Sequence, residues 1–376
     1  MDHRNNENLV RYIIRKVRKE RGLRQGDLGN ISAAVISLLE SGKAPLEGET
    51  FEYMLKQLDL YPKEKLETAV EKEQEKMREL NLILQCIEAA LDKGSHEVAL
   101  KQLKKIKIEK FHPLAPSVYY LEGRYHYLKN DWNKSSKIFH HALDLVDKNN
   151  IAPPVNVLSY CYKDLSNGCF YQNDLQNALM YVNQGIEAFD KNKGRKEVIY
   201  RLYANKIQYL MKLSQHDHAA QILNDTWLDR SKIENISVVL NLYQFRAAIF
   251  RGREDFEKAI AICNEGIEIA VRYRIKKRHL DLLNILGTVY LKQTIYDKAL
   301  QCFQIVLWMD EDNEYRRRKI DSLSNIGTLF INQTNWEQAD DYLNKALKMG
   351  REVGRHLPIG KGTDYPWELF LFSTPT

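Results

Sequence analysis

Residues 323–346 read Leu-Ser-Asn-Ile-Gly-Thr-Leu-Phe-Ile-Asn-Gln-Thr-Asn-Trp-Glu-Gln-Ala-Asp-Asp-Tyr-Leu-Asn-Lys-Ala. Gly327 and Phe330 lie three apart, then Ala339, Leu343 and Ala346 follow at steps of four and three, the spacing of a single helical face. A polar stretch separates the two groups, so the segment predicts a helix, a tight turn and a second helix. The same small residue recurs upstream as Ala99, Ser135, Ala178, Ala219, Ala259 and Ala299, at steps of 36, 43, 41, 40, 40 and finally 40 to Ala339. Twelve residues before these anchors stand Gly123, Ala247, Gly287 and Gly327, where two helices could approach closely. Four after them come Phe139, Val182, Leu223, Phe303 and Leu343; seven after come Ala142, Gly185, Gly266 and Ala346. A fixed period of this length is the signature of stacked helix pairs, each burying its apolar face on its neighbours.

The composition agrees. The 376 residues are 44% hydrophobic and 28% charged, with nine prolines and eighteen glycines, few for the length, and the mean hydropathy is −0.49. No run approaches the roughly 18 apolar residues of a membrane span, and the basic, polar start has no signal-peptide core. Five scattered cysteines, Cys86, Cys161, Cys169, Cys263 and Cys302, with no C-x-x-C, read as free thiols of a reducing, cytoplasmic compartment.

Ahead of the repeats, residues 1–25 carry eight basic groups against three acids, while the whole chain nets only +6. Such a start predicts contact with a polyanion, or else a solvated helix face. Leu9, Ile13 and Val17 form one stripe of a helix over 8–20 that Gly22 stops; Leu23–Leu28 predicts a short second helix. Ser32 can cap a third over Ala33–Glu40 that ends at Ser41-Gly42, and Gly48–Leu58 a fourth, before Tyr61-Pro62.

The pairs, a small residue followed by an aromatic and then a small-bulky-small trio, resemble the tetratricopeptide repeat, with longer helices or connections than its minimal form. Arg18–Gln25 followed by Ile-Ser-Leu-Leu-Glu-Ser-Gly-Lys (36–43) resembles the repressor-type helix-turn-helix. That resemblance makes Arg24, Gln25, Lys43 and the basic first helix the phosphate contacts, and Ser32, Ala33, Ala34 and Ser37 the base-facing residues. No Arg, Asn or Gln is available there for bidentate readout, so selection would rest on methyl contacts and DNA shape. Only 13 residues separate Leu23 from Ile36, and Gly26 and Gly29 weaken the second helix, which leaves open a vestigial head used for protein contacts.

Together the two parts resemble the peptide-sensing regulators of Gram-positive bacteria and their phages, the Rap, NprR, PlcR, PrgX and Rgg group, with the phage arbitrium receptors as relatives. The expected fold is all-α: a helix-turn-helix bundle over 1–62, a linker helix over 63–79, a right-handed superhelix of about seven repeats over 80–353, and a tail over 354–376. The tail's apolar run Tyr365–Phe372 is expected to cap the last repeat or complete a dimer contact. The resemblance implies a cytoplasmic homodimer that binds a double-stranded DNA operator and a short signalling peptide, without cofactor. The alternatives are a Rap-like inhibitor of a response regulator or other protein partner, and a passive scaffold.

Peptide recognition can be placed physically. An extended peptide offers unpaired N–H and C=O groups, and amide side chains satisfy both. The inward first-helix positions, two, three and six before the small residue and one after, hold Asn205, Gln208, Asn241, Gln244, Asn284 and Asn325. Inner-face asparagines also clamp the peptide backbone in the family it resembles. Enzyme readings find little: His140-His141 and His216-Asp217-His218 are the ligand-like clusters, and both are expected to face solvent without a metal. No phosphate loop, nucleophile elbow or Cys-His constellation occurs.

Overall fold

The computed structural model describes residues 3–356, whose regular structure is all helix apart from one isolated bridge, Val155 to Gly194. The head comprises α1 (His3–Glu20), one 3-10 turn (Gln25–Asp27), α2 (Ala33–Glu40) and α3 (Glu49–Gln57). Then α4 (Lys63–Asp92) pairs with α5 (His96–Leu103), α6 (Ala115–Leu128) with α7 (Trp132–Asn149), and α8 (Val157–Tyr171) precedes α9 (Leu175–Glu187). The second half runs α10 (Val198–Lys212), α11 (His216–Leu228), α12 (Ile236–Gly252), α13 (Phe256–Arg272), α14 (Lys276–Lys292), α15 (Tyr296–Met309), α16 (Arg316–Asn332) and α17 (Trp336–His356). Among the described residues, no helix is long and apolar enough to cross a membrane.

The seven anchors fall one to each second helix, from α5 to α17, and all are buried. The glycines twelve residues earlier are there for the reason the spacing implied. A Cβ on Gly287 would lie 2.5 Å from the Phe303 ring, and one on Gly123 2.6 Å from Phe139. Such contact distances are repulsive, so a bulky side chain of the second helix occupies the space a first-helix side chain would need. Asp131, Asn235 and Asp255 cap α7, α12 and α13 with side-chain oxygens that accept backbone N–H bonds, the usual device for otherwise orphaned donors.

Three sequence expectations are corrected. The second helix of the head is no α-helix: Gly26 lies inside a single 3-10 turn and Gly29, at φ +66, lies just beyond it, where glycine's freedom favours turn over helix. The linker does not end at residue 79, because α4 runs unbroken through 30 residues, with no Gly or Pro before Gly94. The last helix continues past Gly354 to His356. The rest of the tail, including Tyr365–Phe372, lies outside the described residues.

The chain packs as two compact units, one reaching to Gly168 together with Gln184–Val198, the other Cys169–Asn183 together with Ile199 onward. In the first, the head is not a separate bundle. Its core of Ile14, Leu28, Ile36, Met54 and Leu55 continues into Leu66 and Val70 of α4 and into Phe111, before α6. There Tyr12 meets Phe111 and, edge-on, His112 at 4.9 Å. His112 Nδ1 accepts the Leu114 N–H at 3.0 Å, which requires the neutral ring. Burial, with Lys16 adding to it and Glu73 opposing, pushes its pKa down from 6.5 to about 4. Below pH 6.5 the unfolded chain takes up a proton that the folded one refuses until about pH 4. Stability of the first unit should therefore fall as pH drops through that window, by about 3 kcal/mol at most. Urea midpoints at pH 7.5 and 4.5 test this: the drop should shrink in His112→Phe, and an equal drop in that variant would assign it to other groups.

Candidate functional site: the outer face of the head and the inner helix wall

On the head, α2 begins as expected, with Ser32 Oγ accepting the Val35 N–H at 3.4 Å. Ile36 and Leu39 face the core, which leaves Ser32, Ala33, Ala34 and Ser37 exposed on the other side, together with Leu38 at 41% exposure. Arg24 and Lys43 are exposed at either end of this face. Gln25 is half-buried, and its Nε2 donates to Glu40 Oε2 at 2.9 Å, so it positions Glu40.

The basic first helix does not present the positive surface that its composition suggests. Arg18 is buried, with Nε and Nη2 on the Glu40 carboxylate at 2.6 and 2.9 Å and Nη1 on the Leu23 carbonyl at 2.7 Å. Arg11, also buried, donates to the carbonyls of Leu39 and Ala44. Lys16 pairs with Glu73 of α4 at 2.7 Å, and Arg15 reaches Asn149 at the end of α7. Arg15 and Lys19 both sit over the Phe111 ring, 4.5 and 4.4 Å from its centroid. These cations fasten the head to α4, Phe111 and α7; the expectation that α1 grips phosphates is corrected for Arg11, Arg15, Lys16 and Arg18, whose charges are already engaged.

In the second unit, α12 packs on α14 and α14 on α16, first helix against first helix. No comparable packing joins second helices among the described residues, so the first helices form the tighter, inner wall. Asn205, Gln208, Asn241, Gln244 and Asn325 are all half-buried on these helices. Gln208, Asn241 and Asn325 make no side-chain hydrogen bond among the described residues. Gln244 accepts a 3.3 Å bond from Arg278. Asn284 differs: it is buried, donates to the Arg318 carbonyl at 3.0 Å and accepts from Ser322 Oγ at 2.5 Å. Its amide ties α14 to α16.

The amide search overlooked a charged ladder on the same wall. Asp281 is held between Arg278 of its own helix, at 3.0 Å, and Arg318 of the next first helix, at 2.8 Å. A 40-residue duplication carries it: Lys277-Arg278-x-x-Asp281 returns as Arg317-Arg318-x-x-Asp321. The repeat alignment contained this signal. In the first unit the corresponding helices carry a closed network instead: Tyr120 donates to Asp164, Arg124 and Arg195 both reach Glu88, and Lys163 pairs with Asp164. Both histidine clusters are exposed as expected, and no group of metal-ligating side chains assembles among the described residues.

The stacked helix pairs form a fold that resembles tetratricopeptide-repeat superhelices, and solved structures share the arrangement. The chain is similar to the apo form of RapI, with a TM-score of 0.55 at 12% identity over 74% of this chain and 99% of that one. NprR in complex with its cognate peptide NprX matches at 0.54 and 16% identity, over 72% and 77% of the two chains. A Rap protein complexed with Competence and Sporulation Factor matches at 0.50 and 13%, over 85% and 98%. The all-α repeat fold expected from the sequence is thus shared with these structures. No family model and no curated protein matches the sequence.

Proposed function

We propose that the protein is a peptide-controlled DNA-binding regulator, acting as a homodimer on an operator with two half-sites. One observation carries the reading: α2 turns a single exposed face of small side chains, Ser32, Ala33, Ala34 and Ser37, outward between exposed Arg24 and Lys43. Small residues let a helix sit deep against base edges and thymine methyls, while the flanking cations meet phosphates. The peptide would lie along the inner wall on Asn205, Gln208, Asn241, Gln244 and Asn325, with Asn284 aligning the wall behind it. Peptide binding that favours one arrangement of the repeats must, by linkage, change operator affinity.

The test is selection of bound fragments from sheared genomic DNA at two salt concentrations, followed by titration of the recovered site. Lys43→Ala should weaken that site several-fold and lower the salt slope by about one, as for one lost phosphate contact. Ala33→Arg should alter which sequence is preferred. Retention that is sequence-blind and gone by about 200 mM salt would sink the DNA reading.

A second reading has its own support. Arg11, Lys16 and Arg18 of α1 are spent inside the fold, and Leu38 stands exposed on the outer face of α2. Those features suit a head that docks a protein partner such as a response regulator, in which case Lys43→Ala leaves DNA retention unchanged.

A further inference from the structure

Charge is segregated in the second unit, helix by helix. Its four first helices carry thirteen Lys and Arg, three in α10, two in α12 and four in each of α14 and α16, against only Asp281 and Asp321. Their four partners carry seven against ten acids. In the first unit, α6 and α8 carry one base and one acid each. The positive wall is therefore a property of the second unit alone and not of the repeat.

Some of these cations are neutralised where they stand. Arg278 and Arg318 share Asp281, and Lys276 reaches the carboxylates of Asp310 and Glu314, while Lys319 donates to the Asp310 main-chain carbonyl and Asn313. Lys277 and Arg317, at the same register of successive repeats, are exposed and form no ion pair among the described residues. The Nε of Arg201 is buried without a protein acceptor. Asp321 is exposed one helical turn after Arg317. Lys277 and Arg317 thus stand exposed at one register of the packed helices α14 and α16.

We infer that the second unit takes an acidic peptide, one carrying net negative charge whose carboxylates sit on Lys277 and Arg317. This rests on the peptide-binding reading above and adds the chemical class of the peptide. Like charges brought together on a partly desolvated wall repel one another, and an anion that enters relieves that repulsion while gaining contacts of its own. The amides between the charged rungs, Gln208, Asn241 and Asn325, have the donors and acceptors for a peptide backbone. That feature favours a peptide over a nucleic acid, which would need base or phosphate contacts.

The test uses the full-length protein and an equimolar mixture of heptapeptides with net charges from −2 to +2. After rapid gel filtration the retained peptides are quantified by mass spectrometry. Acidic members should be enriched by up to about tenfold over neutral ones, an amount two ion pairs can supply. Lys277→Gln with Arg317→Gln should abolish that enrichment without changing the melting temperature, since both side chains are exposed. Asn241→Ala should lower retention of all peptides alike. Charge-independent retention would overturn the inference and leave the peptide reading standing. Retention of no peptide would overturn both, and retention of a 12-nucleotide single strand in its place, lost in the double variant, would assign the wall to nucleic acid.

Discussion

Arg18→Ala should destabilise the first unit by about 3–5 kcal/mol, the range found when one member of a buried ion pair is removed. Arg18 and Glu40 are each less than a tenth exposed, and the guanidinium meets both carboxylate oxygens. Removing it would leave the Glu40 carboxylate in the head core with only Gln25 as donor. The Leu23 carbonyl, which receives Arg18 Nη1, would lose its partner as well. The same substitution also unlocks α2 from α1, so any DNA retention should disappear with the fold. Urea unfolding followed by circular dichroism measures the cost. The double variant Arg18→Met with Glu40→Leu, which removes both charges and keeps apolar volume, should recover most of the stability. A single variant within about 1 kcal/mol of the parent would mean that the pair is solvated like a surface bridge.

Phe303→Ala should cost the second unit about 3–5 kcal/mol, the usual price of an aromatic removed from a closed core. Phe303 is fully buried and its ring lies over Gly287, among Ala299, Ile326 and Leu329. The surrounding helices cannot collapse into the gap without breaking the first-helix packing of α14 on α16. For a unit of this size that cost lowers the melting temperature by roughly 10 °C. Because repeats contact only their neighbours, hydrogen exchange should quicken most in α14 to α17. Uniform exchange across the second unit would show that it unfolds as one block.

The periodic parts of the protein were legible in the sequence because they depend on local spacing. Ala339, Leu343 and Ala346 name a helix face in any context, and Gly287 with Phe303 names a close helix crossing. Ser32, Gly42 and Gly48 bound their helices through local capping alone. Where two local preferences competed, the reading slipped. Leu23–Leu28 has an apolar spacing suited to a helix, but two glycines reduce it to one 3-10 turn. Residues 63–79 look like a separate linker, but nothing breaks the helix before Gly94.

What the sequence by itself determined is the all-α class, the seven anchors, the register of the inner amides and the exposed face of α2. Helical geometry places residues three, four and seven apart on one side whatever surrounds them. The tertiary structure alone decided which charges remain available. Arg11, Arg15, Lys16 and Arg18 look alike along α1, yet their partners Leu39, Asn149, Glu73 and Glu40 come from elements 22 to 134 residues away. Asn284 reads like Asn325, but Arg318 and Ser322 of the next first helix engage it. A charged or amide side chain is free or spent according to what the fold brings within about 3 Å of it, and that distance is set by packing between elements.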